Sequence, residues 1–176
     1  MPAAQFDNIV RVEQRNAIFH ALDQIKAGDT ITTPKGDYTY INTLTRYSNP
    51  PKSPENQPEY PFTNIDFGPE THINAGNVQE GENQPALYNA YTAFLDVFYK
   101  ENEDPDKEGW QILADLQAYF GTNYMLPNSD NKHTAHRIVY AGHEIFGANE
   151  NKPLFVIRTE WAVDYRQSSP YPYLIV

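Results

Sequence analysis

Residues 154–165, LFVIRTEWAVDY, show the clearest two-residue alternation in this chain of 176 residues. Every second side chain from Phe155 to Tyr165 is apolar, aromatic or threonine. The positions between them include the charged residues Arg158, Glu160 and Asp164. Such alternation is typical of a strand with one buried face and one face towards solvent. The segment therefore predicts a half-buried strand in a sheet.

Four more segments predict the rest of that sheet. Ala86–Lys100 carries apolar groups at both parities, which is typical of a central strand covered on both faces. Strands are also predicted at residues 38–47, 62–67 and 137–146, where β-branched and aromatic residues lie between turn-forming residues. The sequence thus predicts about five strands, joined mainly as antiparallel neighbours.

Two segments have the period of an α-helix. In residues 6–27 the apolar side chains recur three and four positions apart, at Ile18, Ala21, Leu22 and Ile25. Gly28 follows and is expected to end this helix. In residues 107–120 the apolar stripe contains Ile112, Leu113, Leu116, Tyr119 and Phe120. Asp104 or Asp106 is expected to cap the start of this second helix, and Gly121 its end.

The remaining segments predict long connections around one domain. Residues 48–61 contain five prolines and are expected to form an extended excursion, because proline disrupts helix interiors and central strands. Residues 70–85 are polar and predict a long loop, and residues 166–176 predict an extended C-terminal arm. We therefore predict a single α+β domain at residues 1–165, with both helices packed on one face of a mainly antiparallel sheet.

Composition excludes several classes of protein. The chain has 13 basic and 23 acidic residues, a formal charge of −10 and no cysteine. The charge argues against a protein that grips nucleic-acid phosphates, which requires clustered Lys and Arg. Without cysteine there is no disulfide framework and no thiolate metal site. The sequence has no apolar run of about 18–20 residues and no signal-peptide pattern, so we expect a soluble protein made in a cytoplasm.

Motifs for catalysis or metal binding are weak. His133 and His136 have an HxxH spacing, but in a strand residues three apart point to opposite faces. The acidic run at residues 101–108 lacks the glycine and the final glutamate of a calcium loop. Nucleophile-elbow, phosphate-loop and dinucleotide fingerprints are also missing from the sequence. We therefore predict no catalytic residue, no cofactor and no metal.

Aromatic residues beside prolines are the most unusual feature of the sequence. Aromatic side chains in such segments are typical of protein–protein interfaces. The alternative is that they fold back over the edges of the domain's own sheet, and for Tyr60 and Phe62 the sequence favours neither reading. The predicted assembly interface consists of Tyr47, Tyr60, Phe62, Tyr171, Tyr173, Leu174 and Ile175.

The order of these elements resembles the tail terminator proteins of long-tailed bacteriophages. The matching features are an opening helix at residues 8–27 ending in Gly28, then a strand rich in Thr and Tyr. A proline-rich excursion follows, leading to PFTNIDFGPE at residues 61–70. The long strand Ala86–Lys100, the helix at 107–120 and a final strand ending in WAVDYR at 161–166 complete the likeness. The similarity spans nearly the whole chain.

This resemblance implies a function in the virion. It implies a homo-oligomeric ring, of six subunits, that caps the tail tube and joins it to the neck or head-completion protein. It also implies no catalysis and no membrane contact, with DNA passing through the ring without specific binding. Six copies at −10 each carry a formal charge of −60, and a lumen lined by carboxylates repels DNA phosphates.

Two alternatives stay open at this point. The chain could be another virion neck, tail completion or baseplate component, which would use the same assembly chemistry elsewhere in the particle. It could instead be a small-molecule or carbohydrate-binding α+β module, because such modules often expose aromatic residues on a sheet face. The solution mass separates a ring subunit from a monomeric binding module.

Overall fold

In the described part of the chain the fold combines two helices with eight strands. The structure, a computed structural model, describes residues 10–46, 60–73, 86–100, 104–147 and 154–168. In chain order its elements are α1 (Val10–Gln24), β1 (Thr30–Thr33), β2 (Gly36–Thr39), β3 (Thr45–Arg46), β4 (Phe62–Phe67), β5 (Thr71–Ile73), β6 (Ala86–Lys100), α2 (Pro105–Thr122), β7 (Arg137–Gly147) and β8 (Leu154–Ser168).

The main sheet follows the order β3-β4-β6-β8-β7, and β5 also pairs with β6. Every pairing is antiparallel except that of β3 with β4. The two longest strands, β6 and β8, pair along their whole length from Ala86 opposite Ser168 to Lys100 opposite Leu154. The predicted α+β class and the mainly antiparallel sheet are confirmed.

Both helices pack on the same face of this sheet. On β8 the alternate residues from Ile157 to Tyr165 are all buried, as the sequence pattern predicts. The ring of Phe120 in α2 lies 4.7 Å from that of Trp161 on this face. From α1, Gln14 accepts a hydrogen bond from the Tyr91 hydroxyl of β6 at 2.8 Å. The core therefore lies between the helix layer and one face of the sheet.

The helix α1 covers less of the chain than predicted. Its apolar stripe is buried as expected, but the helix ends at Gln24, and residues 6–9 lie outside the described part. Ile25 then donates its N–H to Leu22 at 3.2 Å, a tighter turn than the α-helix makes. Gly28, with φ of +90°, lies in the turn before β1 and does not end the helix directly.

The helix α2 is longer than predicted at both ends. Asp104 caps its start by accepting a hydrogen bond from the N–H of Lys107 at 3.0 Å, as predicted. Pro105 is the first helical residue, because its fixed φ suits that position. At the other end the helix passes through Gly121, and Asn123 is the capping residue, with its N–H bonded to the Tyr119 carbonyl.

The predicted strand at residues 38–47 is wrong. A separate hairpin, β1 with β2, occupies residues 30–39, and Gly36 at φ +119° supplies its turn. The chain then leaves strand geometry until β3, because the carboxylate of Asp115 in α2 accepts the backbone N–H groups of Ile41 and Asn42. The Asp115 side chain thus bonds the N–H groups that would pair with a neighbouring strand if the strand were continuous.

Two boundaries of the predicted connections also differ. The predicted loop at residues 70–85 begins with β5, which pairs with residues 88–90 of β6. The predicted arm at residues 166–176 begins too early, because β8 continues to Ser168. In both places the long strand β6 supplies backbone partners that local sequence does not reveal.

A close contact between α2 and the sheet yields a first prediction. A Cβ on Gly109 would lie 2.7 Å from Cδ1 of Ile145 and 2.9 Å from the hydroxyl of Tyr99. We expect Gly109→Ala to destabilise the protein by about 1 kcal/mol, since overpacking costs about 1–3 kcal/mol and outweighs the gain in helix propensity. Urea unfolding measures this change in free energy.

The matched control is Gly121→Ala, in the same helix. A Cβ there meets nothing within 4 Å, so this change is expected to stabilise the protein by about 0.5–1 kcal/mol. Shortening Ile145 to Val should reduce the cost of Gly109→Ala. An equal effect of the alanine at both glycines would contradict the packing explanation.

Candidate functional site

The face of the main sheet opposite the helices, here called the open face, is the first candidate site. Its side chains are those whose position in each strand alternates with the core residues. On β6 and β8 most of them are half-buried, whereas Asp96 and Val156 are buried. Within the described residues both helices lie on the other side. The described residues supply no element on the second face of β6, so the predicted cover on both faces stays a prediction. The open face includes Phe94, Asp96 and Phe98 of β6 and Arg158, Glu160 and Ala162 of β8.

Four apolar residues form one continuous line across the open face. Phe62 lies opposite Phe98, Phe98 opposite Val156, and Val156 opposite Phe146, so they span β4, β6, β8 and β7 in register. We call these four residues the apolar row. The rings of Phe62 and Phe98 stack at 4.8 Å with 11° between their planes. Tyr60 extends the row, with its ring 5.2 Å from that of Phe62.

The exposure of the row increases towards the edge of the sheet. Val156 is 2% exposed, whereas Phe146 on the outermost strand is 39% exposed. Tyr60 and Phe62 at the opposite end are half-buried. A line of large apolar groups across four strands is more than the isolated exposed residues that soluble domains normally carry. The arrangement is suited to contact with another protein surface.

Charged groups lie beside the row. Arg158 donates two hydrogen bonds to the carboxylate of Asp96, both at 2.7 Å, and its guanidinium lies 5.5 Å from the ring centre of Phe94. Hydrogen bonding to Asp96 raises the pKa of Arg158 above its usual value. The ammonium group of Lys100 lies 4.8 Å from the ring centre of Tyr60. The apolar row is thus bordered by ionic groups with fixed positions, which favour a specific orientation of any partner.

The predicted interface residues are only partly covered by the structure. Tyr60 and Phe62 lie together on the open face, and Phe62 also packs on the sheet of its own chain. Tyr47, Tyr171, Tyr173, Leu174 and Ile175 lie outside the described residues, so their grouping stays a prediction. Sequence reasoning missed Phe98, Val156 and Phe146. The alternation of side chains within β6, β7 and β8 could have placed them on the face opposite the core. Aligning them into one row also requires the pairing register between the strands.

A polar cluster lies between α1 and the sheet. The amide of Gln14 donates to the Thr134 carbonyl at 2.8 Å and accepts from the Tyr91 hydroxyl. Nearby, the Tyr165 hydroxyl donates to Glu70 at 2.7 Å. Burial raises the pKa of both tyrosines, and the bond to Glu70 adds to the effect at Tyr165. Near neutral pH both phenols are protonated hydrogen-bond donors, and the bond from Tyr91 joins α1 to the sheet.

A groove of about 500 Å³ separates the β1–β2 hairpin from α2. Small side chains of the helix, among them Ala114 and Ala118, form one wall, and residues 33–38 form the other. Trp110 lies one turn before Ala114 on the same side of the helix and is 58% exposed. The groove is therefore a second candidate site, one for a small ligand.

The described part of the chain contains neither a group of metal ligands nor a membrane-spanning helix. No group of three His, Asp or Glu residues there could hold a metal ion together. His133 and His136 are exposed in the segment before β7. Neither of the two described helices is both long and apolar enough to cross a membrane.

Comparison with known proteins adds no relative. No protein-family model matches this chain. No curated protein matches it by sequence either.

Proposed function

We propose that this protein is a structural subunit of a bacteriophage virion, of the tail terminator type. Copies of the chain assemble into a ring, with six subunits as the expected number. The ring caps the tail tube, contacts the neck or head-completion protein on its other side and lets DNA pass. The observation that carries the proposal is the apolar row on the open face, since it supplies a surface for assembly.

The remaining features support assembly more than chemistry. The conspicuous polar residues of the core, such as Gln14 and Asp115, are bonded to backbone and side-chain groups that they hold in place. Three features named in the resemblance to tail terminators, an opening helix, a long central strand and a second helix, occur in the same order along the described chain. The formal charge of −10 per subunit suits a ring through which DNA moves without sticking.

Native mass spectrometry and negative-stain imaging of the purified chain test the ring. The expected result is a closed oligomer of six copies. Phe146→Asp, on the edge strand of the open face, is expected to weaken association about 30- to 700-fold, because central aromatic contacts are worth about 2–4 kcal/mol. A monomer at all accessible concentrations would contradict the proposal.

A matched variant controls for the added charge. Tyr124→Asp changes an aromatic residue that is 49% exposed in the turn after α2. This variant should form the same oligomer as the unmodified chain. If both variants dissociate equally, the effect of Phe146→Asp reflects charge and not the loss of the apolar row.

The position in the particle separates a terminator from another connector. Antibody labelling of assembled particles should place the terminator between the tail tube and the head. Labelling at the baseplate, or on the head side of the neck alone, would favour another connector, which shares the assembly chemistry. Synthesis in the host cytoplasm followed by incorporation into the virion is the expected course.

A second candidate function follows from the groove beside α2. Exposed Trp110 and the adjoining wall of small residues suit the stacking of a sugar ring or another flat small molecule. Fluorescence titration with a panel of oligosaccharides tests this binding, with Trp110→Phe as the control that removes the reporting indole. A stable monomer whose Trp110 emission saturates with one sugar would favour a binding module over a ring subunit.

A further inference from the structure

We infer that the apolar row of each subunit is covered by residues 171–176 of a second copy of the chain. The inference rests on the proposed self-assembly and adds the identity of the contact. It joins the two predicted interface residues that the structure describes, Tyr60 and Phe62, to the four at the C-terminal side of the sequence.

The length of the apolar row determines how long a segment must be to cover it. Neighbouring strands lie about 4.8 Å apart, so four residues in register extend about 15 Å across the sheet. Phe146 at one end and Phe62 at the other retain exposed ring surface. An extended segment of four to six residues has about the length needed to follow this row.

The chemistry of residues 169–176, SPYPYLIV, is complementary to the row. None of these eight residues has a charged side chain, and five of them are aromatic or aliphatic. Burial against Phe98 and Phe146 would therefore remove no ionic side chain of the segment from water. Pro170 and Pro172 favour an extended backbone, and Tyr171 between them has an N–H group that can donate a hydrogen bond.

Distance along β8 excludes the same subunit as the source. The apolar row crosses β8 at Val156, whereas the strand ends at Ser168, twelve residues further on. At about 3.3 Å per residue the two points are about 40 Å apart. Leu174 and Val176 follow Ser168 by only six and eight residues, so a fully extended chain reaches at most about 29 Å. A neighbouring copy has no such restriction.

The edge of the sheet gives the segment a point of entry. In the described part of the structure β7 is the outermost strand, with no partner on its outer side. Phe146, the most exposed member of the row, lies on this strand. A segment arriving from a neighbouring subunit therefore meets the row first at Phe146.

The absence of cysteine from the chain allows a direct test by site-specific crosslinking. Phe146→Cys and Leu174→Cys are made as single variants with different mass tags, mixed so that subunits exchange, and treated with a short bismaleimide. The expected product is a covalent heterodimer that contains one copy of each variant. Gln117→Cys, on the exposed side of α2, replaces Phe146→Cys in the control and should give no product with Leu174→Cys.

The double variant Phe146→Cys with Leu174→Cys distinguishes contact between subunits from contact within one. The inference predicts a ladder of covalent oligomers in a denaturing gel. A product that keeps the mass of one chain would overturn it, because the segment would then reach its own row. An intact ring without crosslinks also overturns it, while leaving the proposed ring in place. If crosslinked pairs form but the protein never forms a ring, the contact between the row and residues 171–176 of a second copy is supported. The terminator proposal is then contradicted.

Removal of residues 169–176 gives an independent measurement, because these residues follow the last residue of β8. The truncated chain is expected to keep its circular dichroism spectrum and to associate about 100-fold more weakly. Unchanged association of the truncated chain would overturn the inference.

Discussion

Raising the pH from about 10 to 12 is expected to unfold this protein in a single cooperative transition. Burial raises the pKa of six tyrosine side chains above the ordinary value of 10.0, and it raises that of Tyr99 to about 12. The other five are Tyr38, Tyr40, Tyr91, Tyr119 and Tyr165. The core thus depends on phenol groups that must remain protonated.

The direction of the effect follows from proton linkage. Above pH 10 the unfolded chain releases these protons while the folded chain retains them, so each further rise in pH favours the unfolded state. The stability is fully present below pH 10 and is lost as the pH rises through the folded-state pKa. Each fully protected group costs up to about 1.4 kcal/mol per pH unit.

Four of these tyrosines are buried almost completely, at 1–4% exposure: Tyr40, Tyr91, Tyr99 and Tyr165. Over two pH units we expect them to remove about 4–8 kcal/mol, allowing for partial solvation of the phenol oxygens. That loss is comparable to the whole stability of an ordinary domain.

Absorbance at the tyrosinate wavelength and circular dichroism, followed together, measure this transition. Both signals should change at the same pH, because ionisation of the buried phenols requires unfolding. Tyr99→Phe removes one titrating group and should make the loss of free energy with pH less steep, although it also removes the bond to the Pro105 carbonyl. Complete tyrosine ionisation with an unchanged dichroism spectrum would contradict the prediction.

Asp115→Ala is expected to destabilise the protein more than any other single carboxylate replacement among the described residues. The side chain is fully buried and accepts four hydrogen bonds of 2.8–3.0 Å, from the Tyr38 hydroxyl, the Ile41 N–H and two groups of Asn42. Each bond to a charged group contributes about 1.5–3 kcal/mol, but the donors are only part-buried and regain water. We therefore expect a loss of about 3–4 kcal/mol in the free energy of unfolding.

Two further variants sharpen the test at this site. Asp115→Asn keeps one acceptor oxygen but turns an NH₂ group towards the donors of Asn42, so an intermediate loss is expected. Asp130→Ala removes an exposed carboxylate and should change the free energy of unfolding by less than about 0.5 kcal/mol. Chemical unfolding of all three proteins measures the series. A neutral Asp115→Ala would show that the hairpin and α2 do not depend on this carboxylate.

Part of the candidate site was predictable from sequence. Tyr60 and Phe62 attract attention because they lie beside prolines, and the structure places both on the open face. Phe98 and Phe146 gave no such signal, because an apolar residue at either parity of a strand is consistent with a buried position. Which face of β6 the helices cover is decided by packing, so local alternation could not distinguish the core from the open face.

The sequence by itself determined the two helices, the long strands β6, β7 and β8, and the order in which they follow one another. The alternation at residues 154–165 and the helical stripes of α1 and α2 arise from local periodicity, which depends only on near neighbours along the chain. The N-cap at Asp104 is equally local, since its bond reaches three residues ahead. These local features can be predicted without knowing how the strands pair.

The tertiary structure alone decided the features that depend on residues far apart in the chain. The strand predicted at residues 38–47 is interrupted by Asp115, more than 70 residues away. The apolar row exists because the register of three strand pairs aligns Phe62, Phe98, Val156 and Phe146. Register is set jointly by all the paired strands and by the core they enclose, so no single segment of the sequence contains it.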